Sequence, residues 1–443
     1  MENSYPQDFA YKLAKFQNFT KNTIEIEPDG NRGTYGVGSR TRFTLPHSST
    51  IDFSDICLHF NGKTTYNQMD DDSATPKTAI GEILFPRNIA QLIQTLTIYA
   101  NGKILQQITN YDEIFSIVED WKQESEQSQI LSNSHPEPQI ATATGFVPSN
   151  NESDYVIKDW LGIMGKGASS HILDTNILGT VIIEILWNDA NCLMANVATN
   201  ATFTPAGNTI LNKVTTADFE LTNMKLSMNR LSMPEQYYEM IQRVLSSGKR
   251  RIMFPHYELV EGSPANGGFN SVRFNMNSSS INWMIGYFAQ TDRKATGKPK
   301  LYNSITKTSN YYLRNGNKHQ SSSFQIGSTK VPVNPQKTTD CYVNTLRLWG
   351  CKADEKHHHY GGIQSLTQFK NEFFVSPLSL EYSENQYDRD VLLQSGLDTN
   401  NLPIAMSFES TLDSGPVNIT PVVLVNTYRI MEFSDNQVVD VVI

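Results

Sequence analysis

The 443-residue sequence predicts an all-β fold of two consecutive β-sandwiches with a few short helices. Three observations carry that reading. The chain is too long for one ordinary sandwich, since domains usually hold ~100–200 residues. Hydrophobic residues make up 39% and charged residues only 18%, leaving a large share of Ser, Thr, Asn and Gln that suits short strands and polar loops. Segments that alternate with period two and end in turn residues recur along the whole length.

Residues 1–20 mix polar and aromatic residues without a period and form an N-terminal arm. Thr23 to Glu27 alternates and stops at Pro28-Asp29-Gly30, a turn signal. Arg40 to Leu45 alternates again and stops at Pro46. A strand from Ile51 to Phe60 is expected to close at Asn61-Gly62. Leu92 to Tyr99 places Leu92, Gln94, Leu96 and Ile98 on one face, turns at Asn101-Gly102 and returns through Lys103-Ile104-Leu105. Asn-Gly accepts positive φ at low cost, which is the geometry of a tight hairpin.

A helix interrupts the strands. Asn110 is placed to cap its first turn, with Glu113 at the reciprocal capping-box position. Tyr111, Ile114, Phe115, Val118 and Trp121 follow at helical spacing. From Lys122 to Gly179 the chain turns polar, and it is expected to form an exposed excursion on the outer side. Strands resume at Val181–Trp187 and from Phe219 through Met228.

A second helix is predicted over Ser232–Leu245. Ser232 and Glu235 have capping-box spacing, Pro234 suits a first turn and Gly248 terminates. Its stripe of Tyr237, Ile241, Val244 and Leu245 is expected to pack between or beneath the two sandwiches and fix their orientation. The basic trio Lys249-Arg250-Arg251 reads as a solvated linker. Strands follow from Arg251 to Phe254, Ser271 to Met276 and Ile281 to Phe288. Thr291 to Asp340 is a second polar excursion, also expected outside. Tyr342 to Trp349 reads as a strand and Gln386 to Gln394 as a third helix. Ile404–Phe408, Pro421–Tyr428 and Val438–Ile443 close the chain as strands.

The halves share a plan rather than a sequence repeat, and an eight-stranded jelly roll in each half fits. The expected division is an arm (1–20), a first jelly roll (21–231), a helical joint (232–248) and a second jelly roll (249–443).

The charge of −9 argues against a surface devoted to nucleic acid. Cys57, Cys192, Cys341 and Cys351 are scattered, which predicts reduced thiols and no disulfide framework. The N-terminus has neither a basic leader nor an apolar core, so no signal peptide is expected, and no apolar run approaches the ~20 residues of a bilayer span. His357-His358-His359 beside Cys351, Asp354 and Glu355 is the best metal candidate, yet adjacent histidines point apart and seldom complete a tetrahedral site. Asp70-Asp71-Asp72 lacks the spacing of a calcium loop. Gly33-Thr34-Tyr35-Gly36-Val37-Gly38 lacks the Gly-Lys-Ser/Thr ending of a phosphate loop. No catalytic, cofactor-binding or metal-binding residue is therefore assigned, and no cofactor is expected.

The stretch Leu92 to Ile104, running into Tyr111-Asp112-Glu113-Ile114-Phe115, resembles double jelly-roll major capsid proteins, in particular those of virophages, polinton-like viruses and adintovirus-type elements. The end, Val422 to Glu432 followed by Val438 to Ile443, is similar to their last strands. The resemblance implies a non-enzymatic homotrimer whose capsomers tile an icosahedral DNA virus shell, with penton and minor capsid proteins as partners and the virion as location, after assembly inside the host cell. The rival readings are a carbohydrate-binding β-sandwich surface protein and an enzyme with an unmarked carboxylate pair. The first predicts clustered exposed Trp, and the five Trp are dispersed.

Overall fold

The computed structural model describes residues 20–30, 33–68, 80–86, 88–122, 152–165, 168, 172–197, 214–233, 235–247, 250–265, 267–291, 293–294, 300–303, 308–316, 318–349, 366–380, 396–400, 405–414, 418–433 and 439–442. The first half opens with β1 (Thr20–Ile26), β2 (Arg40–Thr44), β3 (Thr50–Gln68) and β4 (Ile80–Leu84). A 3-10 turn, Ile89–Leu92, leads into β5 (Ile93–Ala100), β6 (Lys103–Thr109) and helix α1 (Tyr111–Lys122). Then come β7 (Ser153–Ile157), β8 (Ile172–Asp174), the short α2 (Thr175–Leu178), β9 (Val181–Trp187), β10 (Met194–Val197) and β11 (Val214–Ser232).

Helix α3 (Glu235–Ser247) links to the second half, which opens with β12 (Arg250–Glu261), β13 (Gly268–Asn275) and β14 (Ile281–Gln290). β15 (Lys300–Asn303), β16 (Thr308–Ser309) and a 3-10 turn at Asn310–Tyr312 precede β17 (His319–Ile326) and β18 (Thr329–Gln336). Helices α4 (Thr338–Leu348) and α5 (Leu366–Glu372) follow, then β19 (Ser376–Ser379), β20 (Ala405–Leu412), β21 (Ile419–Phe433) and β22 (Val439–Val442).

Sheet order identifies the architecture. The first half forms one sheet ordered β1-β11-β3-β7 and a second ordered β2-β9-β5-β6. The second half forms β12-β21-β14-β19 and β13-β20-β17-β18. If the eight main strands of each half are counted in chain order, both halves give 1-8-3-6 and 2-7-4-5. That wrapped antiparallel order is a jelly roll, so the chain is two consecutive jelly rolls. The rolls also place their extra parts alike: each has a helix directly after its fifth strand, α1 after β6 and α4 after β18.

Alternation drives each sandwich. In β9, Val181, Ile183, Ile185 and Trp187 are buried while the residues between them are half-exposed, the pattern of a strand with one face in a core. The Asn101-Gly102 hairpin forms as expected, both residues having positive φ (48° and 79°).

Several expectations change. Asn61-Gly62 does not end a strand, because β3 runs through it. Gly62 is there for space: a Cβ would stand 3.1 Å from the Tyr155 ring and 3.2 Å from Phe85. Tyr342–Trp349 lies in α4 and not in a strand. Cys341, Thr345 and Leu348 are buried at helical spacing, and the Asp340 carboxylate accepts the Lys337 N–H at 3.0 Å to start the helix. Ser232 does not cap the joint helix; it ends β11 opposite Thr20, and α3 begins at Glu235. Tyr237 of its stripe is buried, while the side chains of Ile241, Val244 and Leu245 lie outside the described residues. Arg250 and Arg251 open β12, where Arg251 pairs with Glu432 at 2.7 Å.

The two polar excursions hold structure as well. The first contains β7, β8 and α2. The second contains β15 to β18, and part of it is buried rather than outside: Arg293, Tyr311, Tyr312, Leu313 and Arg314 are all in the interior. β15 pairs in parallel with β10, Met194 opposite Lys300, in a sheet ordered β16-β15-β10-β4 that strands of both halves build. Residues 1–19 of the arm and the Gln386–Gln394 helix lie outside the described residues, and Thr20, the arm's last residue, opens β1.

Candidate functional site at the seam between the rolls

Two polar assemblies join the rolls. The first grows from the start of α1. Asn110 has φ 51° and its carbonyl receives the Ile114 N–H, so its backbone starts the helix as expected. The side chains of the expected capping box go elsewhere. Asn110 Oδ1 accepts from Lys294 Nζ at 3.5 Å, and Glu113 receives Arg293 Nη2 at 3.1 Å and Lys294 Nζ at 3.0 Å. Arg293 and Lys294 follow β14 of the second roll, so the socket lies in one roll and the plug in the other. Tyr287 and Tyr311 donate their hydroxyls to Glu113 at 3.1 and 3.3 Å. At the rim, Glu261 Oε1 takes Arg293 at 2.5 Å and Lys294 at 2.6 Å.

Burial decides how this cluster behaves. Arg293 is 3% exposed and Glu113 5%. Burial works to raise the Glu113 carboxyl, but the Arg293 and Lys294 charges outweigh it and hold it below the usual carboxylate range. Next to it, the side chains that bond Asp112 are neutral: Asn188, and the Tyr312 hydroxyl at 3.4 Å. Burial, helped by the Glu113 charge, pushes Asp112 up to about 7. A small space lined by Glu113, Ser116, Tyr287, Tyr311 and Arg314 adjoins the cluster, with room for about one water molecule.

The second assembly centres on Gln106 of β6. Its Nε2 donates across the seam to the Pro255 carbonyl of β12 at 2.9 Å, and its Oε1 accepts the Ile163 N–H at 2.8 Å. Gly162 makes the fit possible: at φ 78° its Cβ would lie 2.1 Å from Gln106 Oε1. Beside Pro255, burial keeps His256 below the usual imidazole range, partly opposed by its bond to Glu258.

Within the second roll, His319 Nε2 lies 3.0 Å from Ser322 Oγ, which is 2.8 Å from Ser376 Oγ, and His319 Nδ1 lies 3.0 Å from Thr338 Oγ1. The arrangement resembles a nucleophile and its base, but Ser322 and Ser376 are buried in the sandwich, out of reach of a substrate. Burial pulls His319 down to about 4, so it is neutral near pH 7.

The motifs weighed in the sequence lie apart from the seam. Tyr35 bridges to Leu221 and Gly36 packs against Asp218, so the glycine-rich segment is an edge of the first roll. Asp70–Asp72, Cys351, Asp354, Glu355 and His357–His359 lie outside the described residues. Cys57, Cys192 and Cys341 are free thiols. Among the described residues there is no group of three or more His, Cys, Asp or Glu placed to hold a metal, and no helix is long and apolar enough to cross a membrane. Sequence reading missed Asp112, Arg293, Lys294, Tyr311 and Tyr312. A signal was present, since a Tyr pair inside a polar excursion marks chain that returns to a core.

No family model matches the chain, and no curated protein sequence matches it. Solved structures do. The chain is similar to the PBCV-1 virus capsid protein (TM-score 0.61, 11% identity), over 96% of this chain and 97% of that one. It is similar to the Faustovirus major capsid protein (0.57, 9%), over 98% and 92%, and to the mavirus major capsid protein (0.50, 11%), over 95% and 89%. Identities this low establish the fold, and the fold is the double jelly roll of viral major capsid proteins.

Proposed function

We propose that the chain is the major capsid protein of an icosahedral DNA virus, assembling as trimers that form pseudo-hexagonal capsomers. The observation that carries this reading is the repeated 1-8-3-6 and 2-7-4-5 order, in a chain that superposes over 96% of its length on the PBCV-1 virus capsid. Two like-ordered rolls locked side by side give one subunit two similar lobes, and a threefold axis turns three such subunits into a six-lobed tile. The proposed division is an arm (1–20), a first roll (21–231), a joint (232–248) and a second roll (249–443). Its partners are neighbouring copies, then penton and minor capsid proteins, in a virion assembled inside the host cell.

Surface chemistry supports neighbours. Phe269 on β13 is 64% exposed and Val333 on β18 is 81% exposed, on the two edge strands of one sheet. Apolar groups on open edges are a liability unless another chain covers them. Light scattering of the purified protein should give three times 49.9 kDa, and negative-stain images should show six-lobed tiles. A monomer mass at every concentration near neutral pH overturns the trimer, and tight binding in a glycan panel without assembly favours the carbohydrate-binding alternative.

A further inference from the structure

Among the described residues, the ion pairs of the seam join two carboxylates, Glu113 and Glu261, to two cations, Arg293 and Lys294. A third cation, Arg314, lines the space beside Glu113 with its guanidinium 5.7 Å from the Phe373 ring, and Asp112 forms no ion pair with a described residue. Glu113 and Glu261 share both cations between them. Asp112 is the carboxylate left over, 2% exposed, at the first turn of α1 where the second roll's Tyr311-Tyr312 turn docks. Its neighbours do not supply the missing charge. The Lys294 ammonium pairs with Glu113 and Glu261, and its charge lowers Asp112 less than burial and the Glu113 charge raise it. On the sheet side of the same corner, Asp189 is itself acidic and its carboxylate is taken up by Asn191, N and Nδ2 at 2.8 Å each. Cys192 beside it is a buried thiol held far above its usual range by burial. From the second roll, the Tyr312 hydroxyl reaches both Asp112 Oδ2 and the Gln91 carbonyl at 3.4 Å, so it has an acceptor in either state.

We propose that Asp112 is a proton-operated latch between the rolls: protonated, it lets the Tyr311-Tyr312 turn seat against α1, and ionised, it loosens that seating. The cause is the cost of a carboxylate without a counter-charge in a buried interface. The sign follows from linkage. The unfolded chain releases this proton near pH 4, whereas the folded protein keeps it until about 7. Folded stability at this site is therefore greatest at low pH and declines as pH rises through that window. Glu113 acts in the opposite sense, its depressed carboxyl costing stability only as pH falls below the ordinary carboxylate range. Lys294 is raised, so it stays charged throughout. Between pH 6 and 8 Asp112 therefore changes state while Glu113 stays ionised.

The latch belongs to the isolated subunit and does not depend on shell assembly. Hydrogen exchange of the purified protein, corrected for intrinsic rates, should show segments 111–118 and 308–316 opening about tenfold more readily at pH 8 than at pH 6. A carboxyl that titrates near 7 keeps its proton in only about a tenth of molecules at pH 8, and the tenfold follows from that. Core segments such as 181–187 should change little. Asp112→Asn, which mimics the protonated acid, should abolish the difference and leave the variant at pH 8 at least as protected as wild type at pH 6. Equal protection of the two seam segments at both pH values in the wild type overturns the proposal, and so does an Asp112→Asn protein that keeps the wild-type dependence. The wild-type measurement stands alone if the variant does not fold.

Discussion

On the seventh strand of the first roll stands Trp187, whose indole donates to Thr41 at 2.8 Å and whose ring meets Phe60 edge-on at 5.9 Å. On the seventh strand of the second roll stands Phe408, packed on Phe324 at 5.1 Å and Phe288 at 6.1 Å. Behind those rings lies a polar pocket, His319 with Ser322, Ser376 and Cys341. The same strand order thus encloses an aromatic interior in one roll and a mixed aromatic and hydroxyl interior in the other. Inward alternation sets the topology, and the identity of the inward residues sets how the roll responds to acid and to added volume.

The largest expected effect removes what makes the comparison one molecule. Glu113→Ala leaves Arg293 buried beside a rim carboxylate alone, and breaking a buried pair in this way costs about 3–5 kcal/mol. Calorimetry should show one transition for the wild type and two for the variant, one for each roll. A single transition at the wild-type temperature would mean that the seam does not couple them.

Acid separates the rolls next. The folded second roll keeps His319 neutral down to about 4, whereas the unfolded chain protonates near 6.5. The unfolded state binds more protons in that window, so stability falls with pH from about 6.5, by on the order of 3 kcal/mol at pH 4. His256 shifts in the same direction and adds to the loss. Melting temperatures at pH 7 and pH 4.5 should differ more for wild type than for His319→Gln; equal differences would place the acid sensitivity elsewhere.

The smallest effect compares the third strands. A Cβ at Gly286 of β14 would stand 2.3 Å from the Phe408 ring, against 3.1 Å from Tyr155 at Gly62 of β3. Overpacking of this kind costs about 1–3 kcal/mol. Gly286→Ala should therefore lie at the upper end and Gly62→Ala at the lower end or below it, measured by urea denaturation. The reverse order would show that the Phe408 ring yields more easily than Tyr155.

Most strands were legible because alternation is local, and β9 and β21 stand where the alternating or apolar runs placed them. The α4 helix was not, since Tyr342-Val343-Asn344-Thr345-Leu346 is rich in β-branched and aromatic residues, and its buried face of Cys341, Thr345 and Leu348 emerges only when Asp340 is taken as the start. Asn110 and Glu113 have the spacing of a capping box, and the helix is there. Their side chains serve Arg293 and Lys294, 180 or more residues away in sequence. No local pattern encodes a partner at that distance, so these pairings became visible only in three dimensions, although the Tyr311-Tyr312 pair marked chain that returns to a core.

The sheet ordered β16-β15-β10-β4 carries a consequence for synthesis. β10 is complete when residue 197 leaves the ribosome, but its parallel partner β15 begins at residue 300. At ~5–20 residues per second that gap is on the order of ten seconds. During it the first roll presents an open strand edge, the kind of surface on which chains pair wrongly with each other. A newly made first roll therefore has a period of exposure that its own later chain closes, and a polypeptide halted before Lys300 keeps the β10 edge open.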